Sequence, residues 1–189
     1  PTVMISCGEP SGDVYAGALA RELGRIRPAT RVIGLGGEHL RDSGADLVGD
    51  YRGLTVTGLV EALRVLPRAW NMHRALVARA VHERPDVLVV IDFPDFNFRL
   101  AAALRRIGVR IVYYVCPQVW AWKKGRIPEL GRILDTLYCL FDFEPALFTG
   151  LPVEALWVGN PLVEAVRPEV DRDTFFREAG LDPSKPLVA

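Results

Sequence analysis

Hydrophobic residues along this chain gather in short continuous runs, and between the runs they recur at helical spacing. Runs of strand character cover 2–7, 31–36, 87–91, 110–115, 137–140 and 155–158. Between them the period lengthens: Tyr15, Leu19, Leu23 and Ile26 fall on one helical face, and Ile127, Leu130 and Leu134 on another. Strands alternating with helices predict right-handed crossovers and an α/β fold, an open, mostly parallel, Rossmann-like sheet with helices on both faces. A helical region through Leu63, Leu66, Trp70 and Met72 to Val81 carries Arg64, Arg68, Arg74 and Arg79 among its apolar residues, with Pro67 marking a break. From 166 to 185 the chain is richer in proline and charge. A short helix there, 171–179 with Gly180 as its stop, reads as a connector.

The run Val87-Leu88-Val89-Val90-Ile91 has no polar alternation, the mark of a strand buried on both faces at the centre of a parallel sheet. Asp92 follows it directly, and Pro94 stops the strand. Asn97 can cap a helix with an apolar stripe of Leu100, Leu104 and Ile107. A carboxylate at that edge, flanked by Phe93 and Phe96, is placed for general-base work, because parallel sheets bind ligands beyond the carboxyl ends of their strands. The alternative is that Asp92 or Asp95 merely caps the helix or its turn.

Three further segments carry candidate chemistry. The first run leads into Gly8-Glu9-Pro10-Ser11-Gly12-Asp13. Two acids there oppose a pyrophosphate, and the dinucleotide glycine spacing is absent, so a hydroxyl-rich or sugar ligand fits better. Ser11 or Asp13 as a helix cap is the alternative. Gln118-Val119-Trp120-Ala121-Trp122 precedes Lys123, Lys124 and Arg126, offering indole faces for a sugar or acyl chain and cations for a phosphate, unless the tryptophans are core. The basic amphipathic helix suits an anionic membrane surface, or else simply docks on the sheet.

Composition narrows the classes. At 189 residues there is room for one well-formed domain. The 23 basic and 23 acidic residues balance, which removes the field a nucleic-acid binder needs. No apolar run reaches the ~18 residues of a membrane span, and the first residues lack a signal-peptide layout. Cys7, Cys116 and Cys139 read as buried reduced thiols, spaced unlike any zinc set. A start at Pro1 and a stop after an incipient apolar run suggest a piece of a longer protein cut at a domain junction.

In order along the chain, Gly8-Glu9 with Ser11-Gly12-Asp13, Gly58 with Glu61, Asp92 with Pro94-Asp95-Phe96-Asn97, Val119-Trp120-Ala121-Trp122, Phe143-Glu144, and Val158-Gly159 with Pro161 resemble the lipid-A-disaccharide synthase family of glycosyltransferases, family 19. The likeness departs at Pro10, Thr57 and Asn160, where the family usually has Ala, Met and His. It implies one half of a GT-B architecture: residues 1–165 as the acceptor-side domain, and 166–189 as connector and start of a C-terminal UDP-sugar-binding domain. It further implies inverting transfer of 2,3-diacylglucosamine from its UDP conjugate to 2,3-diacylglucosamine 1-phosphate, giving the β-1,6 disaccharide and UDP. No metal or other cofactor is expected. Asp92 matches the family's essential aspartate. Glu9, Ser11, Asp13, Glu61, Asn97, Gln118, Trp120, Trp122 and Asn160 are the expected substrate contacts. The expected location is cytoplasmic and peripheral on the inner face of the inner membrane, with a homodimer left open and no nucleic acid. The rivals are another GT-B nucleotide-sugar enzyme and a non-catalytic ligand-binding α/β domain, which fold alone would not separate.

Overall fold

The computed structural model describes residues 1–54, 59–166 and 168–187, with side chains at all of these except 59–64, 122, 124, 164 and 165. The described chain divides into two compact units, Pro1–Gly159 and Asn160–Ala189.

The first unit is built on seven strands: β1 (Thr2–Cys7), β2 (Arg31–Gly36), β3 (Asp46–Asp50), β4 (Val87–Ile91), β5 (Arg110–Tyr114), β6 (Thr136–Cys139) and β7 (Glu154–Trp157). Its helices are α1 (Pro10–Ile26), α2 (Glu38–Asp42), α3 (Leu59–Glu83), α4 (Pro94–Arg105), α5 (Val119–Trp122) and α6 (Ile127–Ile133). In the second unit lie α7 (Leu162–Ala165) and α8 (Arg172–Glu178), the latter capped by Asp171, whose carboxylate accepts from the Thr174 N–H at 2.9 Å.

All six pairings in the sheet are parallel, in the order β3-β2-β1-β4-β5-β6-β7. The chain therefore builds outward from β1 to one edge, crosses back to β4, and builds outward to the other. The reversal lies between β1 and β4, which are paired from Val3↔Val87 to Cys7↔Ile91. At such a reversal the crossovers leave on opposite faces and open a crevice beyond the strand ends.

The side chains of β4 explain its unbroken apolar run. Leu88 and Val90 enter the core on one face, with Leu76 of α3 and Leu100 and Leu104 of α4; Val89 and Ile91 enter the other, with Tyr15, Ala16 and Ala20 of α1. Period-two alternation thus feeds two cores, and neither face can be polar. Full burial of each such side chain contributes about 1.5–3 kcal/mol.

Several expectations need correction. A seventh strand, β3, had no signal: it has two aliphatic residues between aspartates, and as an edge strand it needs no more. Helix α3 continues through Pro67, which sits on an exposed turn. Helix α4 begins at Pro94, not at Asn97, and ends before Ile107, which is exposed. Ile26 is likewise exposed; the inner face of α1 is made by Tyr15, Ala16 and Ala20. Arg79 pairs with Asp46 and Glu83 and is not a free cation of the amphipathic helix.

Candidate active site

Two loops meet at the reversal point. Gly8 and Glu9 follow β1 and start α1, while Asp92 and Phe93 follow β4 and start α4. Both Asp92 and Phe93 are left-handed, with φ of +50° and +46°. Asp tolerates that region better than most residues, whereas Phe does so at a cost of order 1–3 kcal/mol unless its surroundings impose it.

Those surroundings are built from buried polar groups. The Asn97 amide donates to the backbone carbonyls of Ser6 (3.2 Å), Ile91 (3.2 Å) and Asp92 (2.8 Å). Its carbonyl oxygen accepts from the Ser6 hydroxyl at 2.7 Å. The Tyr113 hydroxyl donates to the same Asp92 carbonyl at 2.9 Å. Asn97 and Ser6 have no exposure and Tyr113 none either, so these bonds form away from water, where breaking one is costly. The ends of β1 and β4 and the first turn of α4 are thereby locked together, and the Asp92 carboxylate is left half-buried in the crevice.

Close packing completes the clamp. A Cβ on Gly8 would stand 2.3 Å from the Phe93 ring, so Phe93 packs directly against bare backbone. Phe93 stacks on Phe96 with centroids 5.0 Å apart and planes 20° from parallel. A Cβ on Gly12 would come 3.0 Å from Asp92 Oδ2, so the first turn of α1 directly faces that carboxylate.

The electrostatics suit proton uptake. Burial pushes the Asp92 carboxyl up to about 6, and the Glu9 carboxylate adds to the rise; the Ser11 hydroxyl, hydrogen-bonding the charged form, opposes it. Such a group is ionised at neutral pH yet basic enough to take a proton from a reacting hydroxyl.

The remaining expected residues separate into two groups. Glu9 and Ser11 are exposed beside Asp92, and Gln118 is exposed at the start of α5. Asp13 instead is 1% exposed, and its oxygens accept from the N–H groups of Gly37 (2.7 Å), His39 (2.9 Å) and Leu40 (3.2 Å). It holds the β2–α2 turn and does not cap its own helix, where Glu9 occupies the cap position without a side-chain bond. Asn97 is likewise a positioning residue, its amide committed to three backbone carbonyls and its carbonyl oxygen to the Ser6 hydroxyl. Trp120 is half-buried; its indole N–H donates to Glu144 Oε1 at 3.2 Å and its ring meets Phe143 edge-on. Asn160 lies in the second unit, where its side chain accepts from the Leu162 N–H. Glu61 and Trp122 fall outside the described side chains, and Thr57 and Gly58 outside the described residues. Asp95 sits in the first turn of α4, paired with Arg126 at 2.6 Å, which together with Lys123 holds its carboxyl below the usual range.

Reading the sequence missed Ser6 and Tyr113. A tyrosine in an otherwise buried strand must find a partner for its hydroxyl, and that was the available signal. It also missed that two cysteines approach one another. Among the described residues, Cys116, Cys139 and Glu144 bring potential ligand atoms within 4.8 Å. Glu144 already accepts from Leu140 N, Phe141 N and Trp120, and the Cys116 thiol is pushed well up by its Cys139 neighbour and by burial, so the trio fits a closed core better than a metal.

Comparison with known proteins adds what geometry alone does not give. A family described as Lipid-A-disaccharide synthetase matches residues 3–189. Proteins named lipid-A-disaccharide synthase are similar: that of Koribacter versatilis is 42% identical over 98% of this chain and 49% of its own length, and that of Solibacter usitatus 39% identical over 100% and 50%. This chain spans about half the length of the curated relatives it matches. Among solved structures, Acinetobacter baumannii MurG is similar with a TM-score of 0.53 at 14% identity, covering 90% of this chain and 47% of that one. A putative UDP-N-acetylglucosamine 2-epimerase from Listeria monocytogenes gives 0.62 at 12%, covering 93% and 50%. At such identities the structures show a shared fold, the Rossmann-like half of a GT-B architecture. With a family match over nearly every residue, and relatives near 40% identity, the chain belongs to the lipid-A-disaccharide synthetase family.

Proposed function

We propose that this chain is the acceptor-side half of an inverting glycosyltransferase that makes the lipid A disaccharide, with Asp92 as its general base. The reading is carried by one observation: a half-buried carboxylate with its pKa raised to about 6, fixed at the reversal point of the sheet in the position of the family motif. The acceptor's 6-hydroxyl attacks the anomeric carbon of UDP-2,3-diacylglucosamine from the face opposite UDP. As the new C–O bond forms, the hydroxyl proton passes to Asp92 and the bond to UDP breaks, its electron pair leaving with the diphosphate. The acceptor is 2,3-diacylglucosamine 1-phosphate. Glu9, Ser11, Gln118 and Trp120 are the sugar contacts that this reading retains, while UDP is held by a C-terminal domain to which residues 166–189 lead. No cofactor enters these steps.

The substrates are lipids, and we place the enzyme in the cytoplasm, peripheral on the inner face of the inner membrane. Among the described residues no helix is long and apolar enough to cross a membrane. Support for a surface contact comes from α3, where Leu66 and Trp70 are 59% and 57% exposed and Arg68 and Arg74 are exposed beside them. Apolar insertion flanked by cations gives reversible attachment to anionic lipid, weakened by salt.

The test is disaccharide formation by the full-length enzyme. Asp92→Asn should lower turnover by about 100-fold or more, the scale of a positioned base. Near-parental turnover refutes the assignment.

A further inference from the structure

Helices α3 and α4 enclose a groove of about 530 Å³ that the proposed chemistry leaves without an occupant. Leu66, Trp70 and His73 of α3 form one wall. The other is Phe96 and a stripe of α4 in which Ala102 and Ala103 leave room where larger side chains would close it. At 1.5 Å per residue the stripe from Asp95 to Arg106 runs about 16 Å, so the groove is long and narrow. Phe93, the residue next to Asp92, also lines it.

We propose that this groove takes one acyl chain of a diacylated sugar substrate, an inference that rests on the transferase reading above. Four observations carry it. The walls are mostly apolar, with Asp95, Arg99 and Arg106 the charged residues among them, and Leu66 and Trp70 are more than half exposed, which an unoccupied soluble surface rarely tolerates side by side. Phe93 belongs both to the groove and to the clamp on Asp92, so a chain lying here keeps its sugar at the reaction centre. Exposed Arg99 and Arg106 stand along the same groove, complementary to the phosphate or diphosphate that either substrate also carries. Finally, His73 Nε2 is buried without a hydrogen-bond partner among the described residues, although its ring is fixed between Trp70 (centroids 5.9 Å, planes 13°) and Phe96 (6.0 Å, 83°). Buried polar atoms are almost always paired, and the acyl carbonyl or a chain hydroxyl is the polar group that such a ligand brings.

The chain can come from the donor or the acceptor, so the experiment shortens one substrate at a time. Full-length enzyme is assayed below the critical micelle concentration of both lipids, with no bilayer present, as KM and kcat for parent, Ala102→Phe, which fills the groove, and His73→Phe, which removes the orphaned nitrogen. For the parent, each methylene removed from the groove-bound substrate should raise KM roughly fourfold. Ala102→Phe should raise KM for that substrate by about tenfold or more, leave kcat within a few-fold, and flatten the chain-length dependence in that arm alone. His73→Phe should raise the same KM several-fold, with partial recovery in His73→Gln. If folded Ala102→Phe and His73→Phe keep the parent's chain-length dependence in both arms, the inference is overturned: unaltered vesicle binding then makes the groove a packing gap, and reduced vesicle binding makes it a bilayer contact only. A parent that forms no disaccharide from either lipid overturns the transferase reading itself.

Discussion

Replacing Asp92 with asparagine should do more than stop transfer: above pH 6 it should make the protein more stable. In the unfolded chain this carboxyl titrates near 3.8, whereas in the fold burial and the Glu9 charge push it up to about 6. The folded state thus favours the protonated form. Stability from this group is fully present below 3.8, and it is lost as pH rises through about 6, because the charged carboxylate must then be kept out of water. At 1.36 kcal/mol per pH unit the full separation corresponds to about 3 kcal/mol. The carboxylate is only half-buried, and solvent screening reduces that to ~1–2 kcal/mol. Asparagine does not titrate, tolerates the left-handed backbone at this position and retains the carbonyl that accepts from Asn97 and Tyr113. Thermal unfolding of parent and Asp92→Asn from pH 4 to pH 8 should therefore show a gap widening in the variant's favour, by about 2–8 °C for a chain of this size. A gap that stays constant across that range, or moves against the variant, refutes the idea that Asp92 is held in a desolvated state.

Four other variants probe the same site. Glu9→Gln should move the acid limb of the full-length enzyme's pH–rate profile to lower pH, since it removes the neighbouring charge that helps hold Asp92 up; an unmoved limb separates the two carboxylates. Tyr113→Phe should cost about 1 kcal/mol in urea unfolding but lower kcat by more than that loss explains, whereas Asn97→Ala, which strands several buried carbonyls, should cost about 3 kcal/mol or more. Gly8→Ala places a Cβ against the Phe93 ring and should destabilise by about 1–3 kcal/mol; circular-dichroism melts that match the parent would show the ring free to move.

The sheet was legible because burial on both faces leaves a written trace: 87–91 contains no polar residue, and strands 1, 2 and 4 emerge at their observed bounds. Edge strand β3 left no such trace, because one covered side suffices for it. Asp92 was legible for a related reason, as an acid directly after a buried strand can only lie at the sheet's rim. Asp13 and Asn97 show where local reading stops. Each reads locally as a possible helix cap and, by the family resemblance, as a substrate contact, but their partners are backbone groups 24 to 27 residues away for Asp13 and, for Asn97, include Ser6, 91 residues away. Polar side chains committed to distant backbone and those free for a ligand have the same composition, and only tertiary structure divides them.

The position of β1 also has a consequence for synthesis. This strand is central, yet its partner on one side lies 84 residues downstream, at Val87. At 5–20 residues per second, the ribosome takes about 4–17 s to deliver that partner. Within this interval β2 can pair with β1 and β3 with β2 as each emerges, but the other flank of β1 is an unprotected row of donors and acceptors beside Met4 and Ile5, both wholly buried in the finished protein. A nascent chain of this family is therefore most prone to aggregation before β4 emerges, and slowed translation between β3 and β4 should lower its soluble yield.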